Sequence, residues 1–190
     1  MSGFRHLGDR MIHAGYVWST VVATFESPSG ERFERDVVRS PGAVAAVPIT
    51  YAPDDPARER PLVTLIRQYR PPLDELIIEI PAGMRDVVGE ADVDNARREL
   101  NEEVGLEPGS IEQLGVAYQS PGMTDSAIAI FLASDCTPVP RAPHGPEEVH
   151  SEVFTVPLVE AVSWILDSRI RNSTTVIGLL LAERRLCEHR

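Results

Sequence analysis

The stretch GMRDVVGEADVDNARRELNEEVGL, from Gly83 to Leu106, constrains the fold more than any other part of the chain. Within residues 92–104 the apolar side chains recur at three- and four-residue steps, so they share one face of a helix. These side chains are Val93, Ala96, Leu100 and Val104. Gly105 follows where helices commonly end in a left-handed residue, and Asp92 or Asp94 could cap the start. The pattern predicts an amphipathic helix between two loops.

Three glutamates, Glu99, Glu102 and Glu103, lie on the neighbouring face of this predicted helix. Like charges at such spacing destabilise a helix by about 0.2–0.5 kcal/mol per pair, and acids near the C-terminal end oppose the helix dipole. A divalent cation reverses this balance, because Mg²⁺ binds carboxylate and phosphate oxygens together. The alternative is a solvated acidic face with a salt bridge from Arg98 to Glu102.

The same stretch resembles the Nudix box, G-x5-E-x7-R-E-U-x-E-E-x-G-U, in which U is a bulky aliphatic residue. Gly83 matches the first glycine and Glu90 the first glutamate, and the run from Arg98 to Leu106 matches every fixed position of the second half. Six residues rather than five separate Gly83 from Glu90, and this difference falls in a loop where Gly89 can absorb it.

The resemblance implies an α+β Nudix fold, in which a mixed β-sheet is sandwiched between helices and the box forms a loop, a helix and a loop. It also implies hydrolysis of a nucleoside diphosphate linked to another group, with Mg²⁺, or alternatively Mn²⁺, as cofactor. Arg98 would pair with Glu90 and hold the loop against the helix. The implied metal ligands are Glu99, Glu102, Glu103 and the carbonyl oxygen of Ala82.

Segments outside the box resemble the ADP-ribose pyrophosphatase branch of this superfamily. They are RQYRPPLDELIIEIPAG, which precedes the box, and SPGMTD at residues 120–125. By this resemblance Arg70 contacts the phosphates or ribose of the substrate, and Arg35, with Arg39 as its alternative, reaches a partner's site. Trp18 falls in an N-terminal strand that carries an adenine-stacking aromatic residue in relatives. The structural alternatives are a strand-end cap for Arg70 and a core or interface position for Trp18.

The general base is expected in the segment HGPEEVHSE, which matches an acidic loop of the family. Glu147 and Glu148 fit that place best, with Glu148 slightly preferred and a solvated acidic pair as the structural alternative. Glu102 of the box is the other candidate for this role. The surrounding stretch TPVPRAPHGPEEVH is rich in proline and is predicted to be a loop.

Residues 1–40 are expected to form an N-terminal β extension, and residues 41–190 the Nudix domain. GYVWSTVVATFES and RFERDVVRS read as strands around the turn SPSGE, which predicts a small antiparallel sheet. Because little predicted helix covers this sheet, a second subunit is expected to cover it in a homodimer.

Composition restricts the partners. The net charge of −11 disfavours a nucleic-acid partner, because phosphate binding usually needs a basic face. No apolar run reaches membrane-spanning length, and two cysteines without CxxC spacing favour a reducing, cytoplasmic location.

The expected reaction is hydrolysis of the pyrophosphate bond of ADP-ribose to AMP and ribose 5-phosphate. The alternatives are hydrolysis of other nucleoside diphosphate sugars, or a non-catalytic Nudix-like domain that binds a nucleotide.

Overall fold

The computed structural model describes residues 3–188, and these fall into two compact units. The smaller unit comprises the described residues up to Gly42 together with Tyr118–Ala127. The larger unit comprises Ala43–Ala117 and the chain from Ile128 onward. The sequence pattern placed a boundary after residue 40 and gave no sign that Tyr118–Ala127 belongs with the N-terminal strands.

Three antiparallel strands form the sheet of the smaller unit: β1 (Arg5–Ala14), β2 (Ser19–Glu26) and β3 (Arg32–Arg39), with β2 in the middle. The predicted antiparallel N-terminal sheet is therefore confirmed. Strand β1 was not predicted, because its residues RHLGDRMIHA show no regular alternation of polar and apolar side chains, and all of them are exposed. Trp18 is exposed and precedes β2, rather than lying within the strand as expected.

Within residues 3–188, nine strands follow β3, and seven of them form a second, mixed sheet. The strands that follow β3 are β4 (Ala43–Thr50), β5 (Leu62–Arg70), β6 (Glu75–Glu79), β7 (Ala82–Met84), β8 (Leu106–Glu107), β9 (Ser110–Tyr118), β10 (Ala127–Ser134), β11 (Thr137–Pro138) and β12 (Glu152–Pro157). The main order is β12-β5-β4-β10-β9, with β6 beside β5 and β7 beside β4. β4 runs parallel to β10 and antiparallel to β5 and β7, whereas β8 and β11 form a separate small ladder.

The helices are α1 (Asp92–Glu99), α2 (Gly145–Val149), α3 (Leu158–Leu166) and α4 (Ser173–Glu188). Helix α1 continues into a π-helical turn at Leu100–Val104, and we call the two together the acidic helix. Gly105 ends it with φ of 65°, in the left-handed region that favours glycine. No helix within residues 3–188 combines the length and the apolar character needed to cross a membrane.

Two details of the acidic helix differ from the sequence prediction. Ala91 occupies the N-cap position, and no side chain bonds to the first amides of the helix. Asp92 instead accepts a hydrogen bond from Arg85, with 2.6 Å between Nε and Oδ1. Val93 is 37% exposed, so the apolar face begins at Ala96.

Helix α2 replaces part of the predicted proline-rich loop, so the prediction is wrong at this point. Pro146 lies in its first turn, where the missing N–H leaves no hydrogen bond unmade. The side chain of Glu148 accepts a hydrogen bond from the backbone N–H of His144 at 2.7 Å and so steadies the start of the turn.

Alternate residues of the central strands belong to two separate cores. Val47 of β4 is buried with Leu179 of α4, whereas Val44 of the same strand is buried with Leu100 of the acidic helix. The same alternation runs along β10. Since successive strand residues point to opposite faces, the sheet lies between α3 and α4 on one side and the acidic helix on the other. The predicted α+β sandwich of a mixed sheet between helices is confirmed.

Candidate active site

The acidic helix presents its glutamates to a cavity of about 490 Å³ within the larger unit. Its apolar face is buried against the sheet, so the neighbouring face lines the cavity. Glu99 and Glu103 are only 8% and 3% exposed, and Glu102 lies beside them. Glu102 and Glu103 belong to the π-helical turn, a distortion that is frequent at functional sites.

Gly83 leaves the space that the carboxyl group of Glu99 occupies. A Cβ atom added at Gly83 would lie 2.0 Å from both Cδ and Oε1 of Glu99. A side chain at position 83 therefore fits only if Glu99 moves, which gives the first glycine of the box a physical role.

We expect Gly83→Ala to lower kcat more than about tenfold, because small misplacements of a reacting group are costly. The added methyl group would displace the flexible Glu99 side chain without requiring the strand to unfold, so thermal stability should change little. Steady-state kinetics and thermal unfolding measure the two effects. Gly115→Ala is the matched control, since its new Cβ would meet Leu181 at an ordinary 3.7 Å. A kcat for Gly83→Ala within about twofold of wild type would contradict the role of this glycine.

Burial raises the pKa of Glu103 to about 8 and that of Glu99 to about 7. The negative charge of Glu148 adds to both shifts. The backbone N–H of Ala82 donates to Oε2 of Glu103 at 2.8 Å and partly offsets the effect of burial there. In the absence of a cation, Glu103 is therefore mostly protonated at neutral pH, whereas Glu99 is protonated only in part.

The metal-free protein should lose thermal stability as the pH rises from about 4.5 to about 8. The folded state keeps the Glu103 proton through this window and the unfolded chain does not, so folding is linked to proton uptake. This contribution is fully present below the unfolded pKa and lost as the pH passes the folded pKa, on the order of 2–5 kcal/mol. Thermal unfolding in EDTA should depend less on pH for Glu103→Gln, which mimics the protonated acid. Equal slopes for the two proteins would refute the shift.

Arg98 partly neutralises the acids beside the cavity. Its Nε and Nη2 each donate to a carboxyl oxygen of Glu90 at 3.2 Å. Its Nη1 lies 2.8 Å from Oε1 of Glu99 and 3.0 Å from Oε2 of Glu102. The hydrogen bonds to Glu90 are the main cause that raises the pKa of Arg98 further. Both the Arg98–Glu90 pair and the Arg98–Glu102 salt bridge considered from the sequence are present.

Helix α2 brings a second group of acids to the same cavity. Glu147 and Glu148 are half-buried and line it, as does His144, which immediately precedes the helix. Nε2 of His144 lies 3.4 Å from Oε1 of Glu102. No sequence signal indicates a role for His144, because its spacing to the other histidines matches no metal site.

Arg70 ends β5 at the cavity and is held by a buried acid. Its Nε and Nη2 lie 2.9 and 2.5 Å from Oε2 of Glu79, which is 4% exposed. Glu79 also accepts hydrogen bonds from Gln68 at 2.9 Å and from Asn172 at 2.8 Å. This network leaves no local pattern in the sequence, because Asn172 is 93 positions from Glu79.

Arg35 and Arg39 line a cavity of about 340 Å³ that lies wholly within the smaller unit. The guanidinium of Arg39 is engaged by Asp9 at 2.9 Å and by Asp125 at 3.1 Å. The guanidinium of Arg35 lies 4.8 Å from the ring centroid of Phe33, and no ion pair involving it is found among the described residues. Arg35 is therefore better able than Arg39 to bind an anionic ligand in this cavity.

The acidic helix suits a divalent cation by its chemistry. Carboxylate oxygens are hard ligands, and the raised pKa values mean that an incoming cation would relieve the cost of ionising Glu99 and Glu103. Within residues 3–188, no three His, Cys, Asp or Glu side chains are already arranged to hold a metal ion. Glu99 and Glu102 face Arg98 instead, so metal binding would require their carboxyl groups to turn away from it.

Several known proteins are similar to this chain in sequence or in fold. The chain is 36% identical over 168 residues to a methanol dehydrogenase activator of Bacillus methanolicus, covering 88% of this chain and 86% of that protein. It is 31% identical over 177 residues to an ADP-ribose pyrophosphatase of Mycobacterium tuberculosis, covering 93% of this chain and 82% of that protein. A solved structure described as an ADP compounds hydrolase has a TM-score of 0.80 at 21% identity, covering 98% of this chain and 95% of that one, and supports the fold.

A family model described as the NUDIX domain matches residues 42–175. The match includes the acidic helix, Gly83 and helix α2, which together line the larger cavity. The family model covers most of the chain, and the relative from Bacillus methanolicus is more than 30% identical over 88% of it. The chain therefore belongs to the Nudix hydrolase family.

Proposed function

We propose that the protein hydrolyses the pyrophosphate bond of ADP-ribose to AMP and ribose 5-phosphate, with Mg²⁺ as cofactor and Mn²⁺ as a substitute. The observation that carries the proposal is the cavity in which buried Glu99 and Glu103 meet Arg70 and the acids of α2. Carboxylates that can hold a cation, a guanidinium for phosphate and a separate carboxylate for a proton are what phosphoanhydride hydrolysis needs.

The proposed metal ligands are Glu99, Glu102, Glu103 and the carbonyl oxygen of Ala82. When bound, the metal would neutralise phosphate oxygens and lower the pKa of a bound water. Gly83 keeps the Glu99 carboxyl group in the cavity, and the Ala82 N–H holds that of Glu103. Arg98, anchored by Glu90, can release Glu99 and Glu102 and remain in place.

The remaining roles belong to protein side chains. Arg70, oriented by Glu79, is proposed to bind a substrate phosphate. Glu148 is proposed to accept a proton from the attacking water, with Glu147 and then Glu102 as alternatives. Trp18 is proposed to stack on the adenine, and Arg35, with Arg39 as its alternative, is proposed to reach the substrate site of a partner subunit, as the family resemblance implies.

The choice of ADP-ribose is supported by the relative from Mycobacterium tuberculosis, which is named for that substrate. The name of the Bacillus methanolicus relative refers to activation of another enzyme and specifies no substrate. Hydrolysis of other nucleoside diphosphate sugars is therefore the second candidate, and a nucleotide-binding domain without turnover is the third.

A substrate panel tests this proposal. The purified chain is incubated with Mg²⁺ and ADP-ribose, ADP-glucose or GDP-mannose, and the products are identified by chromatography. We expect ADP-ribose to give AMP and ribose 5-phosphate with the highest kcat/KM, and water labelled with ¹⁸O identifies the phosphorus attacked. A preference for another sugar nucleotide would overturn the substrate, and tight binding without products would favour the non-catalytic domain.

We also propose that residues 1–40 form the homodimer contact and residues 41–190 the catalytic domain. Strand β1 is exposed along its whole length, and Met11 and Ile12 are apolar there. Met11→Glu with Ile12→Glu should convert a dimer to a monomer in light-scattering measurements and raise KM, since burying unpaired charges opposes association. Glu160→Arg, at an exposed position of α3 outside residues 1–40, is the control for a change of charge. A dimer that persists with unchanged KM would exclude this contact.

We also propose that the protein is located in the cytoplasm. Cys136 and Cys187 are free thiols, which persist most readily in a reducing compartment. The proposed partner is a small nucleoside diphosphate sugar, and no nucleic-acid or membrane partner is proposed.

A further inference from the structure

We infer that Arg141 is a positioning residue that fixes helix α2, and with it Glu148, against the C-terminal end of the acidic helix. The inference rests on the proposed function, because it assigns Arg141 a role in the reaction through Glu148. The contacts that carry it lie entirely within the larger unit.

One guanidinium connects the two elements. Nε of Arg141 donates to the backbone carbonyl oxygen of Glu103, in the last turn of the acidic helix. Nη2 donates to the carbonyl oxygen of Glu148 at 2.8 Å and to Oγ of Ser151 at 2.5 Å. The Ser151 hydroxyl donates in turn to the same Glu148 carbonyl at 2.9 Å. Arg141 thus bonds to the backbone of the residue proposed as metal ligand and to that of the residue proposed as base.

The chain around Arg141 is docked at the same helix end. The backbone N–H of Val139 donates to the carbonyl oxygen of Gly105 at 2.9 Å. A Cβ atom at Gly105 would lie 2.8 Å from the carbonyl oxygen of Val139 and 3.4 Å from Cβ of Arg141. The glycine that ends the helix therefore also admits the segment that carries Arg141.

Polar contacts decide where α2 lies, because this helix of five residues has no buried residue. Without apolar burial, a segment of this length has little intrinsic stability. The arginine also brings positive charge to the negative end of the helix dipole, where Glu102 and Glu103 would otherwise be unfavourable. Arg141 is suited to both tasks, because a planar guanidinium can bond to several acceptors in fixed geometry.

A double-mutant cycle tests the inference on the full chain, with ADP-ribose and Mg²⁺. If Arg141 acts through Glu148, Arg141→Gln should lower kcat at least about tenfold alone, with KM changed less than about threefold. In the Glu148→Gln background the same substitution should lower kcat less than about twofold. Multiplied effects, or a single-variant kcat within about twofold of wild type, would overturn the inference. A wild-type kcat in Glu148→Gln would also overturn it, since Arg141 would then position no base.

Amide hydrogen exchange gives a readout that does not depend on activity. The N–H of His150 donates to Pro146 at 3.2 Å and that of Ser151 donates to Glu148 at 3.1 Å, so both report on α2. We expect Arg141→Gln to speed exchange at these two amides and leave the acidic helix protected. Unchanged exchange at both amides would overturn the inference.

Two further variants separate positioning from general stability. Arg97→Gln removes an arginine that ties the same helix to Glu107 and to the carbonyl oxygen of Pro108, and no hydrogen bond or ion pair within residues 3–188 joins Arg97 to α2. It should leave kcat and amide exchange in α2 unchanged.

Arg141→Lys keeps the charge and is expected to fold, but one ammonium group cannot reproduce the fork of hydrogen bonds that the guanidinium makes. It should lower kcat as Arg141→Gln does, and a wild-type kcat with wild-type exchange would overturn the inference even if Arg141→Gln fails to fold. Absence of wild-type turnover across the substrate panel would instead reject the proposed function.

Discussion

Replacing Glu103 with Gln should reduce kcat more than about 100-fold while the protein stays folded. A residue that only hydrogen-bonds to a metal ligand commonly contributes about 10–100-fold to metal affinity or activity, and a ligand itself should contribute more. Glu103 is almost fully buried and its Oε2 accepts the Ala82 N–H, a bond that the amide oxygen of Gln can keep. The substitution therefore removes the negative charge with little change in shape.

This loss is measured by steady-state kinetics across an Mg²⁺ titration, with circular dichroism and thermal unfolding to verify the fold. Glu107→Gln is the matched control, because Glu107 lies just beyond the same helix but bonds to Arg97 and Asn101 instead of lining the cavity. The control should keep wild-type turnover. Near wild-type rates for Glu103→Gln at saturating Mg²⁺ would reject Glu103 as a metal ligand.

Replacing Glu148 with Gln should lower kcat by about 10²–10⁴, the usual contribution of a general base, with KM nearly unchanged. Glu147→Gln should be mild. Glu148 is preferred because its backbone is held by Arg141 and its side chain by the N–H of His144. Within residues 3–188, no hydrogen bond to the side chain of Glu147 is found.

The two single variants and the double variant are compared under the same conditions, with initial rates at saturating substrate. A large loss in Glu147→Gln alone would exchange the two assignments. If all three variants keep kcat within about twofold of wild type, neither residue is the base, and Glu102 becomes the better candidate.

The local pattern was sufficient to predict the acidic helix and the glutamates that line its cavity. Helical periodicity separates Ala96 and Leu100 from Glu99 and Glu103, and the box spacing relates Gly83 to Glu99. The steric reason for Gly83 was not accessible, because it depends on a contact between residues sixteen positions apart that only the folded chain creates.

Features without local periodicity escaped prediction. Strand β1 has no apolar alternation, and α2 is too short and too rich in turn-forming residues to be recognised as a helix. Arg141 and the Glu79–Asn172 network hold the site through side chains that are distant in sequence. Such contacts follow from tertiary packing, which neither propensity nor motif spacing encodes.

The alternation along β4 affects how the sequence of this chain can evolve. Val47 touches the core beneath α4, and Val44 touches the core beneath the acidic helix. The sheet thus separates two groups of core side chains. Each group can repack independently, because the stability effects of substitutions without shared partners are usually additive. Substitution of apolar side chains on the α4 side should mainly change thermal stability, whereas substitution beneath the acidic helix is also exposed to selection for turnover. Asn172 is an exception on the α4 side, because it bonds to Glu79, which orients Arg70.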